Sequence, residues 1–498
     1  MKYDCIIIGA GVGGLTAALK LSQSGMKVLV IEKQPIPGGF ATMFIRKGFR
    51  FESSIHCVDA LGKDGDVRNF LEEHGIDKKI DFIELKEFAR IIYPEHDFVA
   101  DFRADHFIEY LKNNFPDESR NIDRLFNRIE KFNKQFDRYC KSKLPSWLTF
   151  LLSPLLYPEI IKASIPTTNQ FIAKYTKNKK IECIISDIWR FIGLPPERLS
   201  AFYFLILFKG YFCTPTSYIR GGFSELFNAM ISKIKENGSV VMFNTTAQKI
   251  VTYKNSAKSV ITNKKEEFAA AAIISNADAI DTLTFLLDND TIKNVYNKKL
   301  ASLEKSVSAF QVYLGLKIPA KNLGMNHARF SINPSYNHVE NFDYCLKGDY
   351  ERCLLEITDH AQIDPTLVPE GKGSLLIMTY DNYANWKDLN KEEYELRKQR
   401  VTEKLIERAQ NYLPGLKAQI EIIEAASPLT MERYGSSPEG AIYGFAQIAK
   451  QASINRLKQK TLIKGLFLSG AWTFPGGGVH GCFVSGIEAA KLTLKFLR

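Results

Sequence analysis

The sequence predicts an α/β protein with a Rossmann-type dinucleotide-binding domain and an inserted α+β domain. Two observations near the start predict it: a glycine-rich turn between an apolar run and an amphipathic stretch, and an acidic residue ending the next apolar run. A third is the return of strand and helix patterns near residue 498. With 45% hydrophobic and 24% charged residues, the chain has the composition of a folded globular protein and is long enough for two domains.

The first elements form one βαβ unit. Residues 2–8 and 27–32 are short apolar runs typical of buried parallel strands, and residues 15–24 have the apolar face of a helix. A glycine turn at 9–14 joins the first strand to the helix, and Gly25 ends that helix. We expect the crossover to be right-handed, as parallel connections almost always are.

The later elements suggest that two domains alternate along the chain. Residues 81–218 favour long mixed helical stretches rich in Phe, Tyr, Lys and Asn. Further elements are expected as helices at 224–236, 391–410 and 486–497, and as strands at 240–243, 247–253, 259–262, 272–275, 310–316, 374–380 and 465–470. The sequence therefore predicts a discontinuous dinucleotide-binding domain at 1–80, 219–300 and 440–498, and a substrate-binding domain at 81–218 and 301–439.

The turn at residues 9–14 matches G-x-G-x-x-G, and Gly13 adds a further glycine to it. In this pattern Gly9 permits the tight turn, Gly11 lets a pyrophosphate approach the backbone, and Gly14 lets helix and strand pack closely. Glu32 follows Gly14 by 18 residues, at the end of the second strand, where a carboxylate accepts hydrogen bonds from a ribose diol. Together these features predict a dinucleotide site.

A second glycine turn follows the acidic residue. Lys33 comes directly after Glu32, and the pair Gly38–Gly39 precedes Phe40. This arrangement resembles the flavoprotein superfamily of amine oxidases, phytoene desaturases and GDP-dissociation inhibitors, whose cofactor fold is glutathione reductase-like. The resemblance implies FAD, held non-covalently because no Cys or His occupies an obvious attachment motif, and an external electron donor or acceptor that stays unidentified.

The resemblance also implies cofactor contacts elsewhere in the chain. Asn276 ends a strand similar to the one beneath the adenosine half, and Ala247 begins a strand of the same region. Gly470 ends a segment similar to the one that closes over the ribityl chain. Gly478 and Val479 lie in a second G-x-G-x-x-G match, which we reject as a nucleotide site because no βαβ unit follows it. We expect its glycines to bring backbone and final helix close to the flavin.

Four stretches indicate one branch of this superfamily. The segment 48–56, Phe40 after the glycine pair, the residues 427–444 and the run 474–479 resemble retinol saturases and carotenoid isomerases. This implies an FAD-dependent enzyme acting on carbon–carbon bonds of a long hydrophobic polyene or isoprenoid. Saturation or desaturation is favoured, with cis–trans isomerisation next. Two alternatives stay open, a flavin amine oxidase and a cofactor-free prenyl or lipid carrier.

Candidates for proton transfer are few. His56 and Tyr443 lie in or beside the motifs of this branch, and His480 lies in the last glycine-rich segment. Each residue is a candidate for acid–base chemistry, but positioning of the flavin or packing is favoured over proton transfer, because nearness to a motif does not establish geometry.

An apolar segment suggests where the substrate enters. Residues 144–161 are strongly apolar but too short and too proline-broken to span a membrane. Trp147, Tyr157 and nearby lysines suit an interfacial anchor over residues 144–180, and a buried helix pair is the alternative. The lysines are Lys174, Lys177, Lys179 and Lys180.

Charge and cysteine usage restrict the partners. The net charge of +11 favours an anionic neighbour, and without nucleic-acid-binding motifs we expect peripheral contact with membrane lipid and no nucleic acid. The eight cysteines are scattered, without CxxC or metal-ligand spacing, so we expect a reducing, cytoplasmic location and no metal site.

Overall fold

The computed structural model describes residues 2–142, 152–214 and 216–498. Its strands are β1 (Lys2–Ile8), β2 (Val28–Ile31), β3 (Met43–Arg46), β4 (Phe49–Glu52), β5 (Phe82–Glu84), β6 (Glu87–Ile92), β7 (Asp97–Asp101), β8 (Ser217–Ile219), β9 (Val240–Met242), β10 (Ala247–Tyr253), β11 (Ser256–Thr262), β12 (Glu267–Ser275), β13 (Ser308–Leu316), β14 (Arg329–Ile332), β15 (Leu355–Thr358), β16 (Gly373–Asp381), β17 (Ile420–Ala426) and β18 (Leu466–Leu468).

The α-helices with defined bounds are α1 (Val12–Gln23), α2 (Asp66–Glu73), α3 (Ala104–Asn114), α4 (Ser119–Cys140), α5 (Pro158–Ala163), α6 (Thr168–Ile172), α7 (Lys179–Ser186), α8 (Ala201–Phe212), α9 (Phe223–Glu236), α10 (Asp290–Leu300), α11 (His338–Leu346), α12 (His360–Ile363), α13 (Lys391–Gln410), α14 (Leu416–Gln419), α15 (Pro428–Gly435) and α16 (Val479–Leu497). Residues 152–156 are also helical.

The first sheet gathers strands from three distant parts of the chain. Its order is β10-β11-β12-β1-β2-β9, and β18 also pairs with β12. β1 runs parallel to β2 and β12, and β18 runs parallel to β12 with Ile274 opposite Phe467. The helices α1, α9 and α16 pack together beside these parallel strands. The central strands are buried on both faces, which explains their continuous apolar sequence.

The second sheet carries a separate layer of helices. Its order is β17-β13-β16-β15-β14-β6-β7, and it is antiparallel except between β14 and β6. Phe107, Phe126, Phe208 and Phe212, from α3, α4 and α8, pack against one another at ring distances of 4.7–6.3 Å. These rings belong to one core cluster with the buried side chains of β13, β15 and β16.

Most predicted elements are confirmed, and three predictions are corrected. The region 81–218 is not wholly helical, because β6 and β7 form a hairpin that extends the second sheet and β5 pairs with β8. The last helix begins at Val479 instead of residue 486, since Gly478 caps it with a positive φ. Likewise α1 begins at Val12, directly after Gly11. The α/β fold class with a parallel dinucleotide-type sheet is confirmed, whereas the proposed domain boundaries stay a prediction.

Candidate active site

One cavity of about 1820 Å³ contains nearly all the residues predicted for cofactor and substrate. It begins at the carboxyl ends of β1 and β2 and extends past the N-terminus of α16 to α4, α5 and α8. Ligands of open α/β sheets bind at this end of the strands. The predicted residues on its wall are Gly9, Gly11, Gly13, Glu32, Lys33, Gly38, Gly39, Phe40, His56, Ala247, Asn276, Tyr443, Gly470, Gly478 and Val479.

The first glycine turn brings the backbone of α1 to the cavity. A Cβ on Gly14 would overlap the carbonyl oxygen of Gly9, so only glycine permits this approach of helix and strand. Gly14 therefore lies behind the turn and does not line the cavity. The first amides of α1 have no intrahelical acceptor, and they sit at the positive end of the helix dipole. This is a favourable position for a pyrophosphate.

The carboxylate of Glu32 links the first glycine turn to the segment that leads into the second. Its Oε2 accepts a hydrogen bond from the Ala10 amide at 2.7 Å, and its Oε1 accepts one from the Gln34 amide at 2.8 Å. The side chain lines the cavity, where each oxygen retains a second acceptor site for a ribose hydroxyl. Burial lowers the pKa of the neighbouring Lys33, and the charge of Glu32 opposes that shift.

A third group of residues closes the turn from the far end of the chain. The Asn276 Oδ1 and Ser469 Oγ atoms are buried without a hydrogen-bond partner among the described residues. A Cβ on Gly13 would lie 2.5 Å from Ser469 Oγ and 2.6 Å from Asn276 Oδ1. Free helix amides, an acidic residue and unpaired polar atoms around a space that only glycine leaves open fit a dinucleotide cofactor.

Gly478 forms the other end of the cofactor region. It caps α16 with a φ of +94°, a conformation that favours glycine, and no atom lies within 4 Å of the position its Cβ would take. The first turn of α16, beginning at Val479, therefore faces open cavity. Phe40 packs against Gly435 on the same wall.

His56 is held in a neutral form. Its Nδ1 lies 3.0 Å from the Thr358 hydroxyl, and its ring stacks on His360 with centroids 5.9 Å apart. Burial, the positive charge of Arg329 and His360 together hold the pKa of His56 well below its usual range. A neutral imidazole donates only one hydrogen bond and is a poor acid, so these contacts favour a positioning role for His56.

Tyr443 lines the cavity, and its hydroxyl is a weaker acid than that of a free tyrosine. Burial raises the pKa of Tyr443, and its hydroxyl interacts with that of Tyr380. The backbone of Tyr443 lies against Gly477, directly before the cap of α16. Both predicted catalytic residues therefore lie at the cavity, and their catalytic role stays a prediction.

A histidine–aspartate pair faces the same cavity. His480, in the first turn of α16, interacts with Asp59 through an Nδ1–Oδ2 distance of 2.8 Å, and both side chains line the cavity. Burial is the largest single influence on the pKa of His480 and lowers it. The charge of Asp59, the hydrogen bond with Asp59 and the charge of Asp66 together outweigh burial, so the net shift is upward. The sequence singled out His480, whereas Asp59 was missed because 421 residues separate the pair.

Buried charges form part of the floor on the second sheet. Glu356 accepts a hydrogen bond from Arg329 at 3.0 Å and lies 3.5 Å from Arg190, which also contacts Asp187 at 3.5 Å. Arg329 lies over the ring of Phe191 at 4.2 Å. Two cations and two carboxylates therefore balance, and this part of the cavity carries no excess charge.

The other end of the cavity lies among apolar side chains of α4, α5 and α8. Tyr157, Ile161 and Ile165 line it, and Ile165 and Leu155 are 76% and 78% exposed. Trp147 and the rest of residues 143–151 lie outside the described residues, so part of the predicted anchor is not described. No helix in the described part of the chain is long and apolar enough to span a membrane.

Comparison with known proteins agrees with this geometry. A family model for flavin-containing amine oxidoreductases matches residues 12–494. A curated relative, prolycopene isomerase 1 of an Oncidium hybrid cultivar, is 27% identical over 98% of this chain and 83% of its own length. The all-trans-retinol 13,14-reductase of Danio rerio is 25% identical over 94% of this chain and 82% of its own. The predicted resemblance to this branch is confirmed.

Solved structures give the same fold. An oxidoreductase from Methanosarcina mazei matches with a TM-score of 0.67 at 17% identity, covering 99% of this chain and 100% of its own. The protein is an oxidoreductase and its cofactor is FAD, for which the two glycine turns and Glu32 provide the fitting cradle. With the family model matching almost the whole chain, the protein belongs to the flavin-containing amine oxidoreductase family.

Proposed function

We propose that this enzyme acts on carbon–carbon bonds of a long hydrophobic polyene or isoprenoid. The observation that carries the proposal is the continuity of one cavity from the glycine turns to an apolar opening. Beyond Gly478 its wall is largely apolar or aromatic, formed by Phe191, Ile192, Phe202, Ile206, Leu207, Tyr211 and Met378. Such a wall favours an extended hydrocarbon because burying apolar surface contributes about 25 cal/mol per Å².

The chain's own residues account for cofactor binding and for exclusion of water. We propose that the α1 amides hold the pyrophosphate, that Glu32 holds the ribose, and that Asn276 and Gly470 lie along the dinucleotide. When bound, FAD exchanges hydride with a substrate carbon. The aromatic wall around Tyr211 and Phe202 keeps bulk water from that region, which favours transfer to carbon over side reactions.

Two carboxylates inside the cavity are unavailable to an amine substrate. Asp59 is paired with His480 and Glu356 with Arg329, so neither is free to bind a substrate ammonium. Relatives of this chain include a prolycopene isomerase and an all-trans-retinol reductase, which supports a polyene over an amine. Our first hypothesis for the reaction is saturation or desaturation, and our second is cis–trans isomerisation.

We also propose peripheral contact between the cavity opening and a membrane surface. Leu155 and Ile165 project from this side, and a second cavity of about 670 Å³ beside it is lined by Arg128, Lys162, Lys174 and Lys177. Lys174 and Lys177 are exposed and have no ion-pair partner among the described residues. Apolar side chains next to cations are the combination that binds anionic lipid surfaces, and a polyene would enter directly from the lipid.

Anaerobic spectroscopy of the purified protein tests the proposed reaction. The bound flavin is reduced with dithionite, and all-trans-retinol, prolycopene or putrescine is then added. We expect a polyene to restore the oxidised spectrum and to be recovered as a product with one fewer double bond. A polyene recovered only as a geometric isomer would favour the isomerase hypothesis. An enzyme that oxidises putrescine and leaves both polyenes unchanged would contradict the proposal.

Sedimentation with lipid vesicles tests the membrane contact. We expect binding to vesicles of phosphatidylcholine with phosphatidylserine, and a loss of binding in Ile165→Asp. Leu462→Asp is the matched control because Leu462 is also exposed, at 55%, but does not line either cavity. Equal binding of both variants and the unmodified protein would show that this opening is not the membrane contact.

A further inference from the structure

We propose that His480, oriented by Asp59, is the acid that delivers a proton to the substrate carbon during reduction of a double bond. The proposal rests on the proposed function and deepens it, because it selects the direction of the reaction and names the second catalytic participant. It is carried by the position of the pair, which lies in the same cavity as the cofactor turns, between the cap of α16 and the aromatic wall of α8.

The geometry directs one nitrogen of His480 to Asp59 and leaves the other available. Nδ1 interacts with Asp59 Oδ2 at 2.8 Å, whereas Nε2 makes no hydrogen bond with any described residue. The His480 side chain retains 23% exposure and lines the cavity, so this exposure is toward the cavity interior. Nε2 is therefore the atom that a substrate can approach.

The backbone around the pair keeps it in place. Gly210 on α8 has no room for a side chain, because a Cβ there would overlap Asp59 Oδ2 and lie 3.1 Å from its Cβ. His480 is fixed in the first turn of α16, where the positive helix end disfavours an imidazolium. The nearby carboxylate opposes that preference and favours the protonated ring, which shifts the pKa of His480 upward.

Other groups in the cavity are less suited to the role. His56 is neutral and bonded to Thr358, and burial raises the pKa of Tyr443 and of Tyr211. The titratable groups that act electrostatically on the pair from neighbouring elements are Cys57, Asp66, Tyr203 and Tyr211. Asp66 adds to the negative charge, which further favours protonated His480.

Reduction of one double bond consumes one hydride and one proton. The carbon–carbon π bond breaks, one carbon receives a hydride, and its neighbour receives a proton from Nε2, whose N–H bonding pair stays on nitrogen. The hydride equivalent comes from the reduced cofactor, which an external two-electron donor, dithionite in vitro, keeps reduced. Water then returns a proton to Nε2.

Two variants test this assignment, with matched controls. His480→Gln removes the acid, and Asp59→Asn removes only the charge that holds its proton. The controls are His106→Gln and Asp101→Asn, because His106 and Asp101 form a similar pair, with a 2.6 Å distance, on the surface. The readouts are the flavin absorption spectrum, the imidazole titration by NMR, and the rate at which all-trans-retinol or prolycopene reoxidises the reduced protein as a function of pH.

We expect His480→Gln to retain flavin and to lose about 100-fold in the rate of polyene reduction. In the unmodified protein the rate of polyene reduction should fall as the pH rises and His480 loses its proton. His480→Gln should not show this fall. In Asp59→Asn the His480 titration followed by NMR should move about one pH unit or more toward acid. The fall in the rate of polyene reduction should move by the same amount. The surface variants should change neither.

The failure of this inference is distinguishable from that of the proposed function. If the unmodified protein reduces a polyene and His480→Gln does so within threefold at every pH, His480 is not the acid. An Asp59→Asn protein with an unchanged imidazole titration would also overturn it. If the unmodified protein reduces neither polyene, the proposed reduction fails, and this inference fails with it.

Discussion

The carboxylate of Glu32 has two tasks at the level of a single residue. It binds the Ala10 and Gln34 amides through separate oxygens, and it lines the cavity where the ribose is expected. Because it links the first glycine turn to the segment before the second, Glu32 contributes to the shape of the site as well as to ligand binding. This distinguishes Glu32 from a side chain that only contacts the cofactor.

Replacing Glu32 by Gln should weaken FAD binding without unfolding the protein. A hydrogen bond to a charged group contributes about 1.5–3 kcal/mol, so the Kd of FAD should rise roughly 10- to 100-fold. Flavin fluorescence during titration of the apoprotein measures this Kd. Glu73→Gln, at an exposed position at the end of α2, is the control and should bind FAD normally. An unchanged Kd for Glu32→Gln would show that this carboxylate does not serve the cofactor.

Glu52 connects three secondary-structure elements. It ends β4, accepts a hydrogen bond from the Tyr218 hydroxyl in β8 at 2.7 Å, and accepts another from the Phe223 amide at the start of α9 at 2.8 Å. Burial raises the pKa of Glu52 to about 8, despite these two hydrogen bonds. The place where β4, β8 and α9 meet therefore contains a carboxyl group that favours the protonated form at neutral pH.

Because the pKa of Glu52 is raised in the folded protein, its contribution to stability falls as the pH rises. The folded protein binds the Glu52 proton more tightly than the unfolded chain, whose carboxyl titrates near 4.5, so the stabilisation is complete below that pH and is lost as pH rises through about 8. Gln stays neutral at every pH, so the Tm of Glu52→Gln relative to the unmodified protein should rise between about pH 4.5 and about pH 8 and stay level above that. Calorimetry measures the difference, and a Tm difference that is the same at every pH would contradict the assignment.

Arg190 joins the segment after α7 to the second sheet. Its side chain is 1% exposed and lies near the carboxylates of Asp187 and Glu356. Removing one member of a buried charge group leaves its partner uncompensated, at a cost of about 3–5 kcal/mol. Arg190→Met should therefore lower the free energy of unfolding by that amount in a denaturant titration. Arg103→Met should change it little because Arg103 and its partner Asp105 are 60% and 68% exposed.

Sequence patterns predict elements well where one physical signal dominates. The apolar runs of β1, β2 and β12 were predicted because burial on both faces leaves a clear local pattern, and α13 was predicted from its charged helical pattern. The start of α16 was missed because Gly478 and Gly481 read as loop residues. In the structure Gly478 caps the helix, and a Cβ on Gly481 would lie 2.5 Å from the carbonyl oxygen of Gly476.

The candidate site was predictable in part. Cofactor residues carry motifs with fixed spacing, and the structure brings all of them to one cavity except Gly14, which lies just behind it. The Asp59–His480 and Arg329–Glu356 pairs have no such signal, because tertiary packing alone joins residues from different elements. The hairpin of β6 and β7 was missed for a related reason, since its pairing with β14 is long-range.

At the scale of the whole molecule, the cavity is long enough that a change in its wall should affect long and short substrates differently. Leu207→Trp on α8 adds an aromatic ring to the cavity wall and should impede a long polyene more than a short one. We expect the KM for prolycopene to rise at least tenfold, with a smaller rise for all-trans-retinol and an unchanged flavin spectrum. Leu396→Trp, at an exposed position on α13, is the control. Equal effects on both substrates would show that Leu207 does not border the path of the longer molecule.

The interleaving of the first sheet has a consequence for synthesis of the protein. β1 and β2 leave the ribosome before β18 and α16 do. The turn that β1 and β2 form is closed by Ser469 and Gly470, and the opposite end of the cavity is formed by Gly478 and α16. The nascent chain can fold its early βαβ unit, yet it has no complete flavin cradle until residues beyond 479 have emerged. Cofactor loading therefore requires the α16 segment, and we expect a chain truncated before Gly478 to purify without bound flavin.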